Sequence, residues 1–158
     1  MKISRREFFV KGVQGIAIAA VPAVLSTYLA SCKDNSTSPG PSSSMSTIQG
    51  TESGGIVSVT INSSSPLAQI GTAAIVTYPS GSIMVDRPSE NIFNALNRTC
   101  THAGCTISSF DTGSKQFICT CHSSRFDQAG QVVQGPASTA LPKYITQFAN
   151  NILTIKIT

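Results

Sequence analysis

The most constraining feature of this 158-residue chain lies between Cys100 and Ser124. It reads Cys100-Thr-His102-Ala-Gly-Cys105 and, after a spacer, Cys119-Thr-Cys121-His122-Ser-Ser124. The stretch holds both histidines of the protein and four of its five cysteines. The pairs are Cys100-x-His102 and Cys119-x-x-His122, with sixteen residues (103–118) between them. Two thiolates and two imidazoles in mirrored pairs suit a binuclear metal site. A structural zinc site is the plain alternative. Zinc ligands are usually spaced C-x2–4-C and H-x3–5-H. Here each pair mixes Cys with His, Cys-x-His is tighter than that, and Cys105 and Cys121 would be left over. A cysteine framework without metal is the other alternative.

When two histidines replace two cysteines on one iron of a [2Fe–2S] cluster, the centre is of the Rieske type. Over roughly residues 90–145 the quoted motifs resemble the Rieske iron–sulfur family. The resemblance implies one [2Fe–2S] cluster per chain, with Cys100 and Cys119 on one iron and His102 and His122 on the other. It implies a disulfide between Cys105 and Cys121 that joins the two ligand loops. The implied fold is all-β: an antiparallel sandwich or barrel over 51–158, with a small cluster-binding subdomain inserted at about 100–126. Gly135-Pro136-Ala137 with Leu141-Pro142 resembles the family's proline loop, which covers the cluster from a third side.

The resemblance also assigns tuning roles. Ser124 matches a serine whose hydroxyl donates to a bridging sulfide. Phe126 stands where high-potential members carry a tyrosine that donates to a cysteine sulfur, and a phenyl ring cannot donate. Ala103 stands where quinol-oxidising members carry a leucine, Thr120 where they carry proline and Ser123 where they carry glycine. The two extra cysteines are similar to those of the exported, bc-type branch, and disulfides persist in oxidising compartments.

The rest of the chain reads as strand and turn. Charged residues are only 11% and Trp is absent. From Val57 to Ile61 apolar and polar residues alternate, the period of a half-buried strand. Ala73–Tyr78 and Ser82–Val85 flank Pro79-Ser80-Gly81, a hairpin signal. Asn91–Asn97 leads into the first ligand loop. Thr106–Phe110 and Gln116–Cys119 bracket a second hairpin, and Asn150-Asn151 predicts a tight turn between 144–148 and 152–157. No helix is expected after residue 32.

The first 32 residues read as a targeting segment. Ser4-Arg5-Arg6-Glu7-Phe8-Phe9 before the apolar run Val13–Ala30 predicts a twin-arginine signal. That route exports folded proteins, which suits a cluster that must be inserted before export. Leu29-Ala30-Ser31-Cys32 resembles a bacterial lipobox with Cys32 as the lipidated residue. It also accounts for the odd fifth cysteine. An uncleaved anchor helix is the rival reading, at the lower length limit for spanning a bilayer and interrupted by Pro22. Residues 33–50, rich in Ser, Pro and Gly, predict a flexible linker.

These features bound the function. Lys2, Arg5, Arg6 and Lys11 against Glu7 supply +3 of the chain's net +4, so no basic stripe remains for nucleic acid. The length leaves no room for a separate catalytic iron domain, and no independent catalytic site is visible. The resemblance therefore implies one-electron transfer by a protein tethered on the periplasmic side of a bacterial membrane. Its implied partner is a redox protein: a periplasmic oxidoreductase, a cytochrome c or a cytochrome b. The alternative is the iron–sulfur subunit of a quinol-oxidising, cytochrome bc-like complex, with quinol at the histidines. Ala103 and Phe126 lean toward the carrier.

Overall fold

The computed structural model describes residues 43–158. The expected export signal, Cys32 and the first part of the expected linker lie outside the described residues. Among the described residues there are thirteen strands in two sheets and no helix long and apolar enough to cross a membrane.

The larger sheet contains β2 (Ser46–Gln49), β3 (Thr51–Ser53), β4 (Ile56–Thr60), β5 (Ala73–Tyr78), β6 (Gly81–Ser89) and β7 (Ile92–Asn97). It is completed by β12 (Lys143–Ala149) and β13 (Ile152–Lys156). Their order is β2-β5-β6-β7-β12-β13-β4-β3. The two edge strands, β2 and β3, are separated in the chain by Gly50 alone, so the sheet must curl until its edges nearly meet. Gly50 sits at that seam. A Cβ there would lie 2.8 Å from Val57 Cγ1 and 3.1 Å from Val76 Cγ1. The result is the barrel-like base expected of the fold.

Turn chemistry fixes the register. Asn150 and Asn151 have φ of 51° and 60°, the left-handed pair that a two-residue hairpin of matching twist requires. The β5–β6 hairpin pairs Tyr78 with Gly81, so its loop is the two residues Pro79-Ser80. β6 continues to Ser89, four residues past the expected end, through an irregularity between Asp86 and Ser89.

Period-2 alternation then divides the base into two faces. Val57, Val59, Ala74, Val76, Ile83, Val85, Phe93, Ala95, Leu153 and Ile155 fill the barrel interior. Ile75, Met84 and Leu96, on the opposite parity, pack instead with Cys100, Ile107, Phe110, Phe117, Cys119, Phe126 and Leu141. The outer face of β5–β7 is thus the floor on which the smaller sheet rests.

That smaller sheet, in order β1-β8-β9-β10-β11, comprises β1 (Ser43–Ser44), β8 (Ser109–Asp111), β9 (Gln116–Cys119), β10 (Ser124–Phe126) and β11 (Val132–Gln134). β1 and β2 correct the expectation of a flexible linker through residue 50. Met45 between them is buried and its N–H donates to Ser108 O at 2.8 Å. β2 runs parallel to β5. A Ser-rich stretch can join a sheet edge because pairing needs only backbone groups. Met45 and the half-buried Ile48 supply the apolar anchors.

Candidate metal centre

Two loops carry the motif residues. The first leaves β7 and is closed at its root: Ile107 N donates to Arg98 O at 2.8 Å, and Arg98 Nε returns a bond to Ile107 O at 3.0 Å. Within it Cys100 N donates to Cys105 O at 2.8 Å and Gly104 N to Cys100 O at 2.9 Å. Gly104 has φ 75°, which glycine adopts without strain. The second loop is the tight connection from β9 to β10, where Ser123 N donates to Cys119 O at 2.9 Å. Ser123 holds φ 62°, a left-handed conformation that costs a non-glycine residue about 1–2 kcal/mol. Glycine at the matching place in the resembling family is thereby explained.

These loops bring the expected ligands together as two pairs, the two cysteines beneath and the two histidines at the surface. Cys100 and Cys119 are buried, 2% and 1% exposed. His102 and His122 are exposed, with ring centroids 4.8 Å apart and planes at 85°. Cys105 and Cys121 form a disulfide with Cα atoms 6.6 Å apart, pinning one loop to the other. The sulfurs of Cys105, Cys119 and Cys121 lie within 4.8 Å of one another. Two of those sulfurs are spent on the disulfide, so Cys119 is the thiol of that group.

The donor set fits a Rieske cluster. Burial, and then a hydrogen bond with the Cys100 thiol, hold the Cys119 thiol above its ordinary value. The two buried thiols are therefore neighbours, and a bound metal would reverse the preference by holding them as thiolates. Sulfur donors lie inside and imidazole donors outside, an arrangement compatible with a two-iron centre that has unlike ligands on its two irons.

A third loop closes over the pair. Ala137 N donates to Ser124 Oγ at 3.0 Å, and Thr101 Oγ1 donates to Thr139 O at 2.6 Å. Asn97 N donates to Pro142 O at 2.9 Å, and the Gly135–Pro136 peptide is cis. The sequence marked this segment by its prolines and glycine. It gave no sign of Thr101 as the latch to the first ligand loop, because a threonine hydroxyl in a loop has no pattern to betray its partner.

Beneath the loops, Ser124 lies directly opposite Cys119, and Phe126 opposite Phe117. Both Ser124 and Phe126 are fully buried. The Phe117 and Phe110 rings pack at a tilt of 55° with centroids 4.9 Å apart. Asp111 accepts the Gly113 and Ser114 amide hydrogens and stands 3.7 Å from Arg125. The Ser114 side-chain bond is the first cause that holds its carboxyl below the usual range. The tip itself is uncharged: segments 99–107, 119–124 and 133–142 contain no Asp, Glu, Lys or Arg.

The sequence model of the Rieske [2Fe-2S] domain matches residues 59–145, more than half of the chain and all four candidate ligands. The cytochrome b6-f complex iron-sulfur subunit of Prochlorococcus marinus (strain AS9601) is 50% identical over 46 residues, 29% of this chain and 25% of that protein. The corresponding subunit of Synechococcus sp. (strain RCC307) is 39% identical over 59 residues, 37% of this chain and 33% of that protein. The chain thus spans a quarter to a third of the length of these relatives. Among solved structures, the plasma membrane Rieske protein PetC3 from Synechocystis PCC 6803 is 35% identical. It covers 53% of this chain and 85% of its own, with a TM-score of 0.47. The ferredoxin of carbazole 1,9a-dioxygenase from Nocardioides aromaticivorans IC177 shares the fold at 19% identity and a TM-score of 0.51, over 64% of this chain and 98% of its own. With the family's motif on two disulfide-pinned loops of an all-β frame, this chain belongs to the Rieske [2Fe-2S] family.

Proposed function

We propose that this protein carries single electrons through a [2Fe–2S] centre held by Cys100 and Cys119 on one iron and His102 and His122 on the other. The observation that carries the proposal is the pair of exposed imidazoles, 4.8 Å apart, each two or three residues along the chain from a buried cysteine. A centre with this ligand set supplies one-electron chemistry at potentials of about −150 to +300 mV. The chain does the rest. Cys100 and Cys119 keep sulfur out of water, the disulfide fixes the spacing of the loops, and Ser124 would supply a hydroxyl donor to a bridging sulfide. His102 and His122 present their outer ring nitrogens to a partner at the tip. Reductive titration of the iron-loaded protein tests this: one electron should be taken up for every two irons. Uptake of none within that range of potential would overturn it.

The partner we infer is a redox protein, met by a membrane-tethered carrier on the periplasmic side. The twin-arginine start and the lipobox-like Cys32 support the export and the tether. A linker over about 33–42 would give the domain reach. The second reading, a subunit of a quinol-oxidising cytochrome complex, is supported by the cytochrome b6-f subunits among the relatives. Ala103 speaks against it, since an exposed methyl offers little apolar surface at the tip.

A further inference from the structure

Asp86 is a buried acid that the site does not use. It lies on β6 with the parity of Met84, so it faces the smaller sheet. It is fully buried, and its Oδ1 is the one buried side-chain oxygen or nitrogen among the described residues without a hydrogen-bond partner. Its Oδ2 accepts from Gln128 Nε2 at 2.7 Å and from Asn94 Nδ2 at 3.3 Å. Asn94 is directly opposite on β7, and its Oδ1 accepts from Lys143 Nζ at 2.8 Å. Gln128, 42 residues away in sequence, belongs to the turn that follows β10.

That turn is the link between the two ligand loops' sheet and the third loop. Asp127 Oδ1 accepts the amide hydrogens of Ala129 and Gln131, at 2.9 and 2.8 Å. Gly130 O then accepts from Leu141 N at 2.9 Å, and a Cβ on Gly130 would meet Leu141 O at 3.0 Å and Leu96 Cδ2 at 3.1 Å. Leu141 precedes Pro142, which is bonded to Asn97. The contacts run from Asp86 through Gln128 and Gly130 to the third loop.

We propose that Asp86 is a positioning residue for the candidate centre: a carboxylic acid kept neutral, which seats the 127–131 turn, and through it the third loop, on the base sheet. An ionised carboxylate there would bury a charge with one oxygen unpartnered, which is far costlier than burying the acid. Burial pushes its carboxyl up to about 7, against the smaller lowering effects of Asn94, Gln128 and Lys143. Lys143, on β12, is the one charged group facing it, and Asn94 on β7 and Gln128 in the turn are neutral. The folded state thus holds a proton that the unfolded state has released. The contribution of Asp86 to stability is greatest below about pH 4 and is lost as pH rises through about 7. The inference rests on the reading above only for what the third loop covers. Unfolding does not depend on that reading, so the two can fail separately.

The test is thermal unfolding of the full chain between about pH 5 and 8.5, with hydrogen exchange across residues 126–142. Relative to Asp86→Asn, the native midpoint should fall by on the order of 10 °C over that range. Native exchange in 126–142 should also accelerate beyond the intrinsic rise with pH, whereas Asp86→Asn should follow the intrinsic rise alone. Gln128→Met removes a donor that lowers the Asp86 value, so the fall should move to higher pH. Parallel pH curves for native protein and Asp86→Asn, or an unmoved fall in Gln128→Met, would overturn the proposal.

Discussion

Ser124 stands directly opposite Cys119 in the β9–β10 ladder, and its hydroxyl oxygen already accepts the Ala137 amide hydrogen at 3.0 Å. Opposed residues in an antiparallel pair have Cβ atoms about 4.5–5.5 Å apart, so Ser124 and Cys119 share one face of the ladder. With its oxygen occupied by Ala137, the remaining O–H is free to donate toward the centre. A donor there stabilises the extra negative charge of the reduced state. Charge-assisted bonds contribute about 1.5–3 kcal/mol, which for one electron corresponds to ~60–130 mV. Ser124→Ala should lower the potential by tens of millivolts in protein-film voltammetry. An unchanged potential would remove Ser124 from the tuning set.

Phe126 makes the converse case. It is fully buried across the ladder from Phe117 and offers no donor. Phe126→Tyr should raise the potential by several tens of millivolts if the added hydroxyl reaches Cys119. The same measurement on the double variant with Ser124→Ala should give near-additive shifts, since Ser124 is assigned to a bridging sulfide and the added hydroxyl to the Cys119 sulfur.

The disulfide joins loops sixteen residues apart in sequence. The chain-entropy account gives about 3 kcal/mol for a loop of that size. Its local effect should be larger, since it is the one covalent tie between the two ligand loops. Cys105→Ser and Cys121→Ser should each lose the visible absorbance of the iron centre many-fold faster on dilution or warming. Native retention in both would contradict this.

Ser123 carries a left-handed φ of 62°. Ser123→Gly should therefore raise unfolding stability by about 1 kcal/mol, less the added chain entropy of glycine, without moving the potential. Chemical denaturation checks the first and voltammetry the second. A loss of stability would mean that the serine hydroxyl has an undetected partner.

Met45 tests where the folded unit begins. Met45→Ala should cost about 2–3 kcal/mol in chemical denaturation, as a buried methionine does. A chain starting at Ser43 should fold, and one starting at Thr51 should be markedly less stable, having lost β1, β2 and Met45. Equal stability of the two would restore the linker reading up to residue 50.

The candidate ligands and most strands were legible because their signals are local. Cys100, His102, Cys119 and His122 announce themselves by type and spacing, and Asn150-Asn151 by the conformation those residues tolerate. Strand β4 follows from alternation, and β5 and β6 from the turn signal between them. What the sequence hid depends on distant partners. Ser43–Gln49 has linker composition, and only the waiting edges of β8 and β5 make it strand. Asp86 sits in the run Ile83-Met84-Val85-Asp86, where a lone charge is the one hint, and its partner Gln128 is 42 residues away. Thr101 and Thr139 are likewise joined only by the fold. The twin-arginine segment and Cys32 remain sequence-based. Cys32→Ala should abolish incorporation of labelled fatty acid, and a native protein that takes up none while retaining residues 1–31 would favour the helical anchor.

The central claim is that two cysteines and two histidines of this chain hold two irons. Pulsed electron–nuclear resonance on the reduced protein, with histidines labelled with nitrogen-15, measures it most directly. The account predicts two strongly coupled histidine nitrogens, one lost in His102→Cys and the other in His122→Cys, on a centre containing two irons and two sulfides per chain. An absence of strongly coupled histidine nitrogen, or stoichiometric zinc in place of iron, would contradict it.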